Sequence, residues 1–183
     1  MQNVVIRAIE RLDFRTKEAY KTLRTNLSFA GKNVKVISLT SCTPNEGKTS
    51  VSFQLCLSLA ESGKQTILVD ADLRKSVLRG RYKANREKYG LSHYLSGQVE
   101  LDDACCRTNV NNFDIIFAGP VPPNPSELLG GDAFRNMLEV LRMKYDYVIV
   151  DTPPLGSVID AAIVGAICDG TVIVVESGAI SYK

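Results

Sequence analysis

Short apolar runs recur along the chain, separated by longer stretches in which apolar residues return at helical spacing. Val34–Leu39, Thr66–Val69, Phe113–Phe117, Tyr147–Val150 and Thr171–Val175 are short and mostly apolar, and they predict buried strands. Residues 16–30 predict a helix with Ala19, Leu23 and Leu27 on one stripe. Residues 49–62 predict a second, closed by Ser62-Gly63 in the manner of a glycine C-cap. After Asp70 a polar, basic region with little periodicity runs to about Lys88 and reads as loop and short helix. Pro122-Pro123-Asn124-Pro125 is a rigid turn, after which Ser126 is expected to cap a helix running to about Lys144. A helix near 159–168 precedes the final strand. Apolar strands alternating with helices predict an α/β fold, a mostly parallel central sheet with helices on both faces. At 183 residues the chain is expected to form one domain.

Such sheets bind ligands at the carboxyl ends of their strands. One such end carries Ser41-Cys42-Thr43-Pro44-Asn45-Glu46-Gly47-Lys48-Thr49-Ser50, between the first long apolar run and a helix. A helix start offers unpaired N–H groups and the positive end of the helix dipole. Gly47 lets the backbone approach a phosphate, Lys48 adds a point charge, and the Thr49 hydroxyl is a ligand for Mg²⁺. The expected nucleotide-binding set is therefore Pro44, Asn45, Glu46, Gly47, Lys48, Thr49 and Ser50. The pattern G-x-x-x-x-G-K-[ST] is incomplete, because Cys42 stands where its first glycine belongs. Gly-Lys-Thr without that glycine occurs often by chance, so the rest of the chain must decide.

Two further strand ends do so. Ile67-Leu68-Val69-Asp70-Ala71-Asp72 sets two carboxylates just past one strand, and Val148-Ile149-Val150-Asp151-Thr152-Pro153-Pro154 sets a third past another. An aspartate commonly ends a strand because it starts a turn. Three of them beside a phosphate turn instead suit a hard dication, which Mg²⁺ sites hold with one or two carboxylates plus phosphate oxygens and water.

Composition narrows the alternatives. A net charge of +2 is too small to argue for nucleic acid or an anionic membrane. No apolar run approaches the roughly 18 to 20 residues of a membrane span, and no signal-peptide core opens the chain, so a cytoplasmic protein without direct membrane insertion is expected. Five cysteines without C-x-x-C spacing predict reduced, mostly buried thiols, with Cys42 in the turn as the exception. The single histidine, His93, argues against a histidine base and is expected on the surface of a short helix.

Taken together, these residues resemble the cytoplasmic catalytic domain of the bacterial tyrosine kinases of capsular and exopolysaccharide type, within the partition and septum-site class of P-loop NTPases. Three motifs carry the resemblance: Walker A at Ser41–Ser50, Walker A′ at Ile67–Arg74 and Walker B at Val148–Pro154. The stretches Gly90–Gly97 and Pro122–Leu129 are also similar, and the likeness runs from about Glu18 to the C-terminus. Family members tolerate residues other than glycine at the position of Cys42. Partition ATPases carry an extra lysine five positions before the P-loop lysine; here Thr43 stands there, which points to the kinase branch.

The resemblance implies an ATP- and Mg²⁺-dependent protein-tyrosine kinase acting on tyrosine residues of protein, with Lys48, Asp70 and Asp72 catalytic and Thr49, Asp70 and Asp151 at the metal. Either Asp70 or Asp72 would take the tyrosine proton. It implies a transmembrane polysaccharide co-polymerase as a separate activating chain, holding the protein at the inner face of the membrane. It also implies a homo-oligomeric ring built through an N-terminal helical segment, residues 1–31. The family's Glu-x-x-Arg-x-x-Arg helix is matched by Glu18, Lys21 and Arg24, which at about 100° per residue are expected roughly opposite the Leu23/Leu27 stripe and free to meet another subunit. Lysine at the middle position lacks the bidentate fork of arginine. The family's closing helix and tyrosine cluster have no counterpart before Tyr182-Lys183, so either the sequence is shortened or another chain is the acceptor. Two other readings stay open: a non-kinase ATPase switch, and a nucleotide-binding module that assembles with a polysaccharide polymerase.

Overall fold

Alternate residues of the central strands belong to opposite sides of the molecule. In β3 (Thr66–Asp70), Ile67 and Val69 pack into one apolar cluster and Leu68 into the other. The same split runs through β2 (Val36–Ser41) and β6 (Tyr147–Asp151), where Val36, Val148 and Val150 face one way and Ile37, Leu39 and Ile149 the other. Both faces are thus covered, as the apolar runs require. The structure, a computed structural model, describes residues 1–31, 33–85 and 88–178; Tyr182 lies outside them.

The remaining strands are β1 (Gln2–Val4), β4 (Cys106–Thr108), β5 (Phe113–Ile116) and β7 (Gly170–Val174). Among the described residues they form one sheet in the order β1-β4-β5-β3-β6-β2-β7, parallel from β5 to β7, with β4 antiparallel to β5 and β1 parallel to β4. One face is covered by α1 (Phe14–Phe29), α2 (Lys48–Glu61) and the one-turn α3 (Leu78–Arg81). The other is covered by α4 (Leu91–Leu95), α5 (Leu101–Ala104), α6 (Pro125–Gly130), α7 (Asp132–Lys144) and α8 (Asp160–Gly165).

Four expectations are corrected. Strands β1 and β4 have three residues each, too few to show a period of two, and were not foreseen. Through β1, with Val4 and Ile6 buried, the N-terminal segment is part of the sheet and its core. Ser126 is not a helix cap: Pro125 takes the first helical position, where a missing N–H costs nothing, and the helical stretch breaks at Gly131 into α6 and α7. On α1 the inward stripe is Tyr20, Leu23 and Leu27, while Ala19 is exposed. Three- and four-residue steps share one helix face, and the larger apolar tyrosine ring wins that place.

Asp169 fastens the start of β2, the strand that leads to the phosphate turn. Its Oδ2 accepts the N–H groups of Lys35 and Val36 at 2.8 Å each, and its Oδ1 accepts from Arg142 Nη2 at 2.8 Å. Burial works to raise this carboxyl, but the Val36 N–H, the Arg142 guanidinium and the Lys35 N–H outweigh it and hold it below its usual range. A depressed acid contributes stability above its unfolded pKa and loses that contribution as pH falls through the folded one. Asp169→Ala is therefore expected to lower unfolding stability by about 1–3 kcal/mol at pH 7, with the gap from wild type narrowing as pH falls below the usual aspartate value of about 4. Urea midpoints across that range check it.

Candidate functional site

Because β3, β6 and β2 are adjacent and parallel, their carboxyl ends open on one edge of the sheet. The register places Asp70 beside Asp151, and Asp151 beside Leu39 two residues before the phosphate turn. The three motifs, distant in sequence, meet there.

The turn has its own internal bracing. Asn45 (φ 70°) and Gly47 (φ 87°) are left-handed on either side of Glu46, an alternation that curls successive N–H groups into an anion-binding concavity. Glu46 is buried; its Oε2 accepts the Thr43 N–H at 2.8 Å, while Ser41 Oγ donates to the Thr43 carbonyl at 2.7 Å. Thr43 is thereby tied down by its backbone. Cys42 is exposed, which explains how a side chain is accommodated where the pattern has glycine.

A second glycine matters more, and it was not foreseen. The chain leaving β6 stitches itself onto the turn, Leu155 N–H to Ser41 O at 2.8 Å and Gly156 N–H to Cys42 O at 3.0 Å. A Cβ on Gly156 would stand 2.5 Å from that Cys42 oxygen. Gly156→Ala is expected to cost about 1–3 kcal/mol and to weaken nucleotide binding severalfold, as read by denaturant unfolding and nucleotide titration. Only Gly156, among the residues after Pro154, marked this close approach in the sequence.

The acidic residues sit at different depths. Asp70 and Asp151 are each 1% exposed, below the floor, while Asp72 lines the cleft. Asp70 Oδ2 accepts the Ser76 hydroxyl, and Asp151 Oδ1 accepts Ser52 Oγ at 3.1 Å. Asp72 Oδ1 accepts the Lys75 N–H at 2.9 Å, and its Oδ2 lies 3.6 Å from Lys48 Nζ. Burial, and then the charge of Asp151, pushes Asp70 up to about 8. Burial also raises Asp151, against the pull of Lys48 and the hydroxyls of Thr49 and Ser52. Two buried carboxyls with one nearby ammonium leave a deficit of positive charge. That donor set suits a hard dication. Among the described residues no three His, Cys, Asp or Glu side chains form a ready-made cage.

Above this floor lies an open cleft of about 280 Å³, walled by the turn at Pro44–Thr49, by Asp72 and Lys75, and by Pro153 and Pro154. Asp160 fixes its outer wall from α8. Fully buried, it accepts from Arg74 Nε at 2.8 Å and from Ser126 Oγ at 2.6 Å, and Arg74 Nη2 reaches Ser126 Oγ at 2.9 Å. This ties the end of the Asp70–Arg74 segment to α6 and α8. Arg74 and Ser126 were already in view from the sequence, but nothing in the pattern around Asp160 signalled its part.

The residues expected at a subunit interface lie away from the cleft. Lys21 Nζ pairs with Glu18 Oε1 at 2.7 Å, both half-exposed. Arg24 is not free: its Nη1 donates to the Ser58 carbonyl of α2 at 2.5 Å. One position from Leu23, it flanks the packed stripe and falls within reach of α2. His93 is partly exposed on α4, where its Nδ1 accepts the Gly90 N–H at 3.1 Å, a structural role. Of the other thiols, Cys56, Cys105 and Cys106 are buried and Cys168 partly so.

Comparison with known proteins places this geometry. The AAA domain family matches residues 34–183. The tyrosine-protein kinase CpsD of Streptococcus agalactiae is 45% identical over 166 residues, 91% of this chain and 72% of that protein. The kinase domain of the Escherichia coli tyrosine kinase ETK superposes with a TM-score of 0.86 at 34% identity, covering 99% of this chain and 80% of that one. The septum site-determining protein MinD from Pyrococcus horikoshii OT3, complexed with Mg-ADP, gives a TM-score of 0.64 at 26% identity over 76% of this chain and 57% of that one. The fold is that of the nucleotide-binding P-loop ATPases.

Proposed function

Since the chain belongs to the bacterial tyrosine-protein kinase family, we propose that it transfers the terminal phosphoryl group of ATP to protein tyrosine, serving synthesis and export of capsular or exopolysaccharide. The observation that supports this most is the meeting of the phosphate turn with Asp72, Asp70 and Asp151 at neighbouring strand ends, with Lys48 between turn and acid.

Residues 44–50 would hold the phosphates through backbone N–H groups and Lys48. Thr49 on the wall, with Asp151 and Asp70 beneath, would hold Mg²⁺. When bound, Mg²⁺ neutralises charge on the phosphate oxygens. Lys48 Nζ lies 3.6 Å from Asp72, and a phosphate held by the turn would share the ammonium, leaving the Asp72 carboxylate open to the cleft. A phenol of pKa about 10 needs a base to attack at neutral pH. Asp72 takes the phenolic proton as the tyrosine oxygen bonds to phosphorus; the bond from phosphorus to the bridging oxygen breaks, and ADP leaves with that oxygen. Asp70, buried and bonded to Ser76, serves charge and position rather than the proton. Most of the acceleration then comes from positioning and charge stabilisation.

No helix among the described residues is long and apolar enough to cross a membrane. A separate transmembrane co-polymerase supplies the membrane contact and the activating cytoplasmic segment, so the protein works at the inner face of the membrane. Copies of the chain associate in a ring through α1, with Glu18 and Lys21 as the accessible charges and Arg24 stiffening the helix against α2.

Incubation with labelled ATP, with and without the co-polymerase's cytoplasmic segment, tests the reading. Label on tyrosine is the expected result. Phosphate release without protein label would make the protein an ATPase switch, and tight nucleotide binding with neither product would make it an assembly module.

A further inference from the structure

The one-turn helix α3 belongs to none of the three motifs, yet the core grips it firmly. Leu78 is 1% and Tyr82 3% exposed, and the Tyr82 ring stacks on Phe53 of α2 with centroids 3.5 Å apart. Between these anchors Arg81 remains exposed and lines the nucleotide cleft. Its Nη1 donates to Ser50 Oγ, in the first turn of α2. The arginine is thus held by Ser50 on one side and, through the chain, by the fixed Phe53–Tyr82 stack on the other.

A guanidinium carries five donors and is always charged. Ser50 takes one of them, and no carboxylate among the described residues is paired with Arg81. A permanent cation thus stands at the helix end that would receive phosphate, with most of its hydrogen-bonding capacity unspent. From this we infer that Arg81 is a nucleotide-binding residue, gripping the phosphate chain of ATP and ADP in cis from the α3 side of the cleft, in addition to Lys48. The inference rests on the nucleotide occupying this cleft, as proposed above. It differs from a plain surface staple between α3 and α2 in requiring the charge, not only the contact with Ser50.

The test is titration of Mg-ADP and Mg-ATP into wild type, Arg81→Gln and Arg81→Lys, together with thermal unfolding of each without nucleotide. Arg81→Gln is expected to weaken both nucleotides about tenfold, equivalent to about 1.4 kcal/mol, with an unchanged nucleotide-free melting temperature. Arg81→Lys, which keeps the charge, is expected to recover part of the loss. Unchanged affinity in Arg81→Gln overturns the inference. So does a loss matched in both variants and accompanied by lower nucleotide-free melting, which would mark a staple. If wild type itself binds neither nucleotide, the nucleotide reading of the cleft fails instead.

Discussion

Lys48→Met is expected to lower phosphate transfer to tyrosine by at least about 10³-fold, with the fold retained. The lysine stands beside the acids, 3.6 Å from Asp72 and acting on Asp151. In phosphoryl transfer there is little covalent work for the protein, so removing the cation that meets the transferring group removes much of the catalysis. Methionine keeps the length and the apolar stem, which limits the structural damage. Lys48 is nearly buried, with its side chain 12% exposed, so losing it also takes the ammonium from beside Asp72 Oδ2, while the Lys75 N–H stays on Oδ1. Circular dichroism and a melting curve, run beside a phosphotyrosine assay, separate lost chemistry from lost structure. Activity within tenfold of wild type would contradict the role.

The second large effect divides the two aspartates of the A′ segment. Asp72→Asn is expected to lower kcat by about 10²–10⁴-fold even at saturating Mg²⁺, because it removes the acceptor of the phenolic proton. Asp70→Asn is expected to do less to kcat and to raise the Mg²⁺ concentration needed for half-maximal rate. The difference follows from depth. Asp72 lines the cleft, whereas Asp70 is 1% exposed, bonded to Ser76, and pushed up to about 8 chiefly by burial. Steady-state rates over a magnesium series distinguish the two, and the opposite division of effects would transfer the base to Asp70.

The centre of the molecule was legible because its signals are local and dense. Each central strand is a short apolar run ending in a turn residue, so parallel pairing was enough to bring Asp70, Asp151 and the Gly47–Thr49 corner to one edge. What escaped was carried by pairs of residues rather than by runs. Strands β1 and β4 are too short for any period, and their pairing depends on partners about a hundred residues apart. Arg24 reads as a charge free to meet another subunit until α2 is present to receive it. Asp160 looks like a helix-start acid, and only the fold brings Arg74 and Ser126 to it. Gly156 is one glycine in a loop until the Cys42 carbonyl is seen beneath it. In each case the energetic partner lies across the sheet, where spacing along the chain says nothing.

The depth of the acids also changes how the site is understood. Read from the sequence, Asp151 belongs to the metal and either Asp70 or Asp72 is the base. In the structure Asp72 stands at the wall beside Lys48, while Asp70 and Asp151 form a buried negative floor reached through Thr49 and Ser52. A floor of this kind draws a cation without enclosing it, and leaves the open wall for a protein substrate.

Titration calorimetry of folded protein with ADP, in the presence and absence of Mg²⁺, tests this most directly. Magnesium-dependent binding at one site per chain is expected, reduced at least about tenfold by Lys48→Met. Binding of equal strength in wild type and Lys48→Met, or no heat from either, would show that phosphate is not held where these strands end.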